Sequence, residues 1–146
     1  MTPTPPLTAA RLAAAALGLA LLAGCEPVPA ANVPGSTIPT GPYVLVSLGP
    51  DTVPQRNFGL TIAADGSISG QAPCNHYAAA QTAQPPAFRI AGLTTSGQPC
   101  GGLNGRMEQR YFQALGEANQ ITYEGGVLRI KGPQTWLTYE PGYRKE

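Results

Sequence analysis

The chain has 146 residues, of which 42% are hydrophobic and 12% charged, with nine Lys plus Arg, eight Asp plus Glu and a net charge of +1. That length is one ordinary domain with room for short extra segments. No block of like charge occurs, so there is no basic patch to release counterions, and nucleic acid is not an expected partner.

Arg11 precedes a run, 12–23, made only of Leu, Ala and Gly. The run is shorter than the about 20 apolar residues of a membrane span and has the length of a signal-peptide hydrophobic region. It ends in Leu22-Ala23-Gly24-Cys25. This string resembles the lipobox of bacterial lipoproteins. The resemblance implies a signal peptide over 1–24, cleavage before Cys25, and acylation of that cysteine. The alternative is an ordinary secretory signal with an incidental cysteine. Glu26 follows where Asp would favour inner-membrane retention, which points to the outer membrane with the domain facing the periplasm. Without Arg11 the remaining chain has eight basic and eight acidic residues. Acyl chains would then be the membrane anchor, at about 0.8 kcal/mol per buried methylene.

Residues 26–42 contain five Pro, two Gly and no aromatic residue. Such a segment buries too little apolar surface to offset its ordering entropy. Residues 25–41 are therefore expected to be a disordered tether, followed by one domain over 42–140 and a flexible tail over 141–146. The alternative is an arm packed on the domain.

Residues 43–48 are rich in β-branched and aromatic side chains and predict a strand. A loop follows over 49–57. Phe58, Leu60 and Ile62 alternate within a second strand, 58–63. Asp65-Gly66 is a hairpin turn signal, and 67–71 is the return strand, with Ile68 turned to the core. Ser69-Gly70 predicts either a bulge or a close backbone approach. Residues 78–86 read as a loop, 87–93 as a strand carrying Phe88 and Ile90, and 94–102 as a second loop.

With Cys25 taken by lipid, Cys74 and Cys100 remain. An even count in an oxidising compartment predicts one disulfide closing a loop of about 27 residues. Reduced thiols and a catalytic thiol are the alternatives. Neither cysteine lies in a Cys-x-x-Cys motif, and His76 is the only histidine.

Leu103, Met107, Tyr111 and Leu115 recur every four residues and predict a helix over 104–115, capped by Asn104 and ended by Gly116. Arg106, Gln109, Arg110 and Gln113 occupy its wet face. Three short strands, 121–123, 127–130 and 135–139, close the chain. Turn-linked strands of this kind predict an α+β fold, a mainly antiparallel, strongly curved sheet or partial β-barrel with one packed helix.

The same order of strings resembles the META domain, also called the HslJ-like domain. Tyr43-Val44-Leu45 stands where Trp-x-Leu is usual. Leu60 to Gly66 matches the strand and Gly turn, and Ser67-Ile68-Ser69-Gly70 the strand after it. The most specific string is Cys-Asn-x-Tyr, here Cys74-Asn75-His76-Tyr77. Thr95 precedes Cys100, and Glu108, Tyr111, Phe112 and Leu115 match the family's helix. Residues 127–130 and 136–139 match its last strands. The resemblance covers about 42–140. The chain departs from the pattern in Tyr43 for Trp, in Ala78-Ala79-Ala80 where Gly is usual, and in a longer Thr-to-Cys spacing lacking Met. The family brings no accepted catalytic site, so none is implied.

The residues themselves carry little chemistry. Asn75 and Tyr77 are expected to be structural, Asn75 satisfying backbone groups in a tight turn. Asp65 and Glu108 could be imagined as an acid–base pair, but a turn and the first helical turn explain them better. Ser96-Gly97 comes nearest to a nucleophile elbow without matching it, and no Walker or dinucleotide pattern appears. Neither a metal nor a cofactor is expected. Trp136 and Tyr139 are candidates for an exposed aromatic binding surface. Alternation puts them on opposite faces, so only one of them would be partly exposed. The expected function is a non-catalytic, envelope maintenance or stress-related binding role through an unidentified protein partner. The alternative is inhibition of a secreted hydrolase such as lysozyme or a protease.

Overall fold

The structure, a computed structural model, describes residues 37–54 and 58–142. The signal segment, Cys25 and most of the tether lie outside the described residues, as do 143–146. Among the described residues no helix is long and apolar enough to cross a membrane. The described residues form nine strands and one helix, in the order β1 (Gly41–Leu48), β2 (Asp51–Thr52), β3 (Gly59–Ile62), β4 (Ser67–Gln71), β5 (His76–Gln81) and β6 (Ile90–Thr95). Helix α1 (Gly102–Glu117), β7 (Gln120–Glu124), β8 (Val127–Lys131) and β9 (Trp136–Pro141) complete it.

The sheet order is β6-β5-β4-β3-β1-β9-β8-β7, with β2 beside β1, and every pairing is antiparallel. The sheet curls until its ends touch at one rim. There Ala87 bridges Gln120, the Phe88 N–H donates to the Asn119 carbonyl at 3.0 Å, and the Ile121 N–H donates to the Pro86 carbonyl at 2.8 Å. The outcome is a half-barrel of the expected α+β class.

Alternation explains which side chains turn inward. Leu45, Leu60, Ile68, Leu128, Ile130 and Leu137 are buried, and α1 adds Tyr111, Ala114 and Leu115 to the same core. Each such Leu or Ile side chain contributes roughly 1.5–3 kcal/mol on burial. In β1 three successive residues, Tyr43, Val44 and Leu45, are buried, and a register shift between Leu45 and Ser47 follows them. The bulge resets which side chain faces inward, so that Leu48 is buried again.

Several expectations change. Residues 78–86 do not form a loop: β5 runs through Ala78-Ala79-Ala80, paired on both sides by β4 and β6. Alanine has low strand propensity, but pairing between two neighbours overrides it. The strand expected over 87–93 forms later, as β6, and takes in Thr94 and Thr95; Gly92 at φ +65° sits at its register shift. The helix is longer than 104–115 at both ends. Its N-cap is Gly101, with no side-chain cap bond from Asn104, and Gly116 lies inside the last turn. The domain also begins earlier than 42. Ile38 packs against the core, and the Tyr43 hydroxyl donates to the Pro39 carbonyl at 2.6 Å.

The expected Asp65-Gly66 turn is present between β3 and β4, with Gly66 at φ +80°. The Ser67 N–H donates to Asp65 Oδ1 at 2.8 Å, and bonds from the Ser67 hydroxyl and backbone hold the Asp65 carboxyl below its ordinary range.

Of the two readings of Ser69-Gly70, the close approach is the one that forms. The β3–β4 and β4–β5 registers run through Gly70 without a shift. A Cβ there would run into the Gly59 carbonyl oxygen and the Tyr77 ring. The missing side chain is what lets Tyr77, paired with Gly70, lie across it and reach Gly59. Gly70→Ala is expected to cost about 2–3 kcal/mol through overpacking. Gly116→Ala, with open space around its Cβ and a helical backbone, is expected to gain about 0.5–1 kcal/mol. Urea denaturation of the two variants should give shifts of opposite sign. Equal midpoints would refute the packing argument.

Candidate functional site

The Cys-Asn-x-Tyr string runs from the turn after β4 into the first two residues of β5 and faces the first half of α1. Cys74 and Cys100 form a disulfide with a Cα–Cα distance of 5.7 Å across 26 residues, which is the first of the alternatives left open by the sequence. Beside it, Glu108 is only 7% exposed. Its Oε2 accepts the backbone N–H groups of Cys74 (2.8 Å) and Asn75 (2.9 Å), and its Oε1 accepts the Asn75 side-chain amide at 2.5 Å. The helix-dipole explanation of Glu108 is therefore replaced. The acid faces inward at the spacing 108, 111, 115 and caps a chain reversal more than 30 residues away. That spacing on the apolar face was the signal that could have revealed it.

Asn75 completes the cluster. Its Nδ2 also donates to the Gln98 carbonyl (3.2 Å), while its Oδ1 accepts the Gln98 N–H (2.7 Å) and the Ser96 hydroxyl (2.9 Å). One side chain thereby mimics a strand partner for the 96–98 loop, in place of the bonds within its own turn that the sequence suggested. Ser96 is committed too, since its Oγ accepts the His76 N–H at 3.2 Å. It is not poised as a nucleophile. His76 itself is exposed on β5. Asp65 sits at the exposed β3–β4 turn while Glu108 is held beneath Cys74, so the two carboxylates do not form an acid–base pair.

Cys74, Cys100 and Glu108 place sulfur and carboxylate atoms within 4.8 Å of one another, a group with ligand chemistry. In the disulfide form neither sulfur is a thiolate, the species that binds metal. The Glu108 oxygens are also already occupied by N–H donors. The cluster as it stands ties the loop to the helix.

Tyr77 is buried and belongs to a chain of hydroxyls. Tyr139 donates to Tyr111 at 3.1 Å, the Tyr111 and Tyr77 hydroxyls lie 2.6 Å apart, and Tyr77 donates to the Gly59 carbonyl at 3.0 Å. Because the Tyr77 proton goes to Gly59, Tyr111 is the donor to Tyr77. Tyr77 also meets Tyr111 and Phe112 edge-on, with ring centroids 5.7 and 5.4 Å apart. Burial pushes the hydroxyls of Tyr111 and Tyr139 well above the ordinary tyrosine range; charge interaction with Tyr139 and with Tyr77, respectively, adds to it, and the hydrogen bonds of Tyr111 with Tyr77 and of Tyr139 with Tyr111 oppose it in part.

That shift has a pH consequence. A buried tyrosine whose folded pKa is raised contributes stability that is complete below the unfolded value of about 10. The contribution is lost as pH climbs above that value toward the folded one. Tyr111 and Tyr139 are expected to ionise only with unfolding, so their tyrosinate absorbance should rise together with loss of near-ultraviolet circular dichroism above about pH 10. Tyrosinate formation complete before any unfolding would contradict the buried chain.

The aromatic surface is corrected in one respect. Trp136 is 42% exposed on β9, but Tyr139 is 0% exposed, inside the half-barrel. Tyr43 is buried as well. The pair thus lies on opposite faces, and only Trp136 is available on the outside.

The family model of the META domain matches residues 36–141. No curated protein matches the chain. Among solved structures, the chain is similar to a protein from Burkholderia xenovorans determined by NMR. The two share 18% identity, covering 72% of this chain and 83% of that one, with a TM-score of 0.56. It is also similar to a DUF4847-family protein from Bacteroides vulgatus seen by crystallography, with 13% identity, 73% and 95% coverage and a TM-score of 0.54. These likenesses concern the fold.

Proposed function

The chain belongs to the META-domain family, and from that premise we propose that it is a lipid-anchored binding domain of the bacterial cell envelope, without catalysis. The observation that carries the proposal is the string Leu22-Ala23-Gly24-Cys25 at the end of an apolar run. It gives Cys25 the position of an acylated residue, and Glu26 after it points to the outer membrane, with the domain in the periplasm. A tether rich in proline then sets the domain off from the membrane. The binding role is supported by the way the polar groups are used. Asn75, Glu108 and Ser96 are engaged in holding the 74–98 region, and the family is not known as a catalytic one. The partner is an envelope protein, in a maintenance or stress role.

The test is metabolic labelling with an alkyne-bearing palmitate, followed by affinity capture from crosslinked envelopes, comparing the natural chain with Cys25→Ser. Label and one enriched partner in the natural chain alone are the expected result. A natural chain that takes no label would end the anchoring proposal. An equal background in both forms would end the partner proposal.

A second reading, inhibition of a secreted hydrolase such as lysozyme, draws on the exposed 96–101 loop pinned by the disulfide. Lysozymes and proteases left fully active by an excess of the domain would sink it.

A further inference from the structure

Beyond the proposed binding of a protein partner, we infer that the groove between the start of α1 and the segment around β2 and β3 takes a small amphiphilic acid, with one carboxylate and an unbranched apolar body. The groove has a volume of about 450 Å³, and its walls include Pro54, Phe58, Leu103 and Met107. This lies within the roughly 300–1,000 Å³ range of small-molecule sites. Leu103 extends the helix's apolar stripe of 107, 111 and 115, but it is 76% exposed. The stripe thus runs out of the core and into the groove, where no described residue covers it.

The rim is cationic. Arg106 and Arg110 also line the groove, four residues apart on α1 and so neighbours on its surface. Arg110 is paired with Asp51 at 2.7 Å. Arg106 has no ion pair among the described residues. Among the described residues no acidic side chain lines the groove. An apolar floor with one uncommitted guanidinium at its edge complements a ligand that is apolar along its length and anionic at one end. Guanidinium offers a carboxylate two parallel N–H donors, which adds direction to the charge attraction. A neutral chain would gain the floor and lose the rim, and a polar anion would do the reverse.

Met107 is the one methionine beyond Met1, so its methyl group is a single reporter inside the groove. Residues 32–146 form a compact unit by themselves, and the chain lacking residues 1–25 is the protein to use. Dodecanoate below its micelle concentration is titrated while the ¹³C-methyl signal of Met107 is followed. Dodecanol and anionic and neutral phospholipid vesicles serve as the other arms. A saturable shift with dodecanoate is expected, and Arg106→Gln and dodecanol should each weaken it at least about tenfold. Leu103→Gln should also weaken it, while circular dichroism remains unchanged, because both substituted side chains are exposed.

Three results would overturn the inference. The first is the absence of saturable binding by monomeric dodecanoate. The second is an affinity that Arg106→Gln leaves unaltered and that dodecanol matches. The third is a Met107 signal that responds only to anionic vesicles, which would mark a membrane-facing surface instead.

Discussion

Glu108→Ala is expected to lower the unfolding free energy by about 3–5 kcal/mol. The substitution removes the acceptor of two backbone N–H groups, on Cys74 and Asn75, and of the Asn75 side-chain amide. Each buried donor left without a partner costs about 1–3 kcal/mol, and the truncated side chain leaves a space besides. For a domain of this size the melting temperature should fall by roughly 15–20 °C. Glu108→Gln keeps the shape but turns one oxygen into an amide nitrogen. Either that nitrogen faces the Asn75 amide, donor against donor, or it faces the two backbone N–H groups. It should cost about 1–3 kcal/mol. Glu117→Ala, on the exposed end of the same helix, is the control and should stay within about 0.5 kcal/mol. A double-mutant cycle with Asn75→Ala should show a coupling above about 1 kcal/mol. If Glu108→Ala melts alongside Glu117→Ala, the buried carboxylate is not what fastens the loop.

Removal of the disulfide, by reduction or by Cys74→Ser with Cys100→Ser, is expected to cost about 3.5 kcal/mol on chain-entropy grounds for a loop of this length. The crosslink and Glu108 restrain the same segment, because the Cys74 N–H is one of the groups that Glu108 accepts. Their losses should therefore not add. Once Glu108 is gone, the segment between β4 and β5 is already loose, and the cysteines then constrain mainly the unfolded chain. Urea curves of the natural chain, each single change and the combination would measure this. A reduced protein with an unchanged midpoint would mean that the loop closes without covalent help. A perfectly additive combination would mean that crosslink and carboxylate act on separate parts of the domain.

Much of the strand framework was legible because it rests on local patterns. Phe58, Leu60 and Ile62 alternate, Asp65-Gly66 turns, and 121–123, 127–130 and 135–139 lie within or beside β7, β8 and β9. The helix was legible from its four-residue recurrence, and its ends were not. Gly101 caps without a side-chain bond, and Gly116 remains helical, because packing of Ala114 and Leu115 carries the last turn past it. The β5 strand escaped notice for the same kind of reason. Three alanines have no strand signature, and only β4 on one side and β6 on the other make them a strand. Leu103 shares the four-residue recurrence of Met107, Tyr111 and Leu115, yet it is 76% exposed at the start of α1.

In the site, Cys74 with Cys100 was legible as one of the candidate crosslinks, whereas the backbone groups that Asn75 satisfies belong to Gln98, 23 residues away, and not to its own turn. Tyr139 was not separable from Trp136 as an exposed residue, since alternation places the two on opposite faces without saying which face is inside. Burial of Tyr139 follows from Tyr111 on α1, whose hydroxyl it meets across 28 residues of chain. Glu108 is the fullest case, since its three donors come from a segment more than 30 residues earlier.

The sequence by itself determined the class of fold, the Asp65-Gly66 turn and the existence of the helix, since each rests on neighbouring residues or the spacing of apolar groups. Only the tertiary structure decided which polar groups lie inside, which aromatic faces water and where the helix stripe leaves the core. Those outcomes depend on hydrogen bonds and packing between residues far apart in the chain, and a buried donor or acceptor finds its partner only when the sheet has curled around the helix.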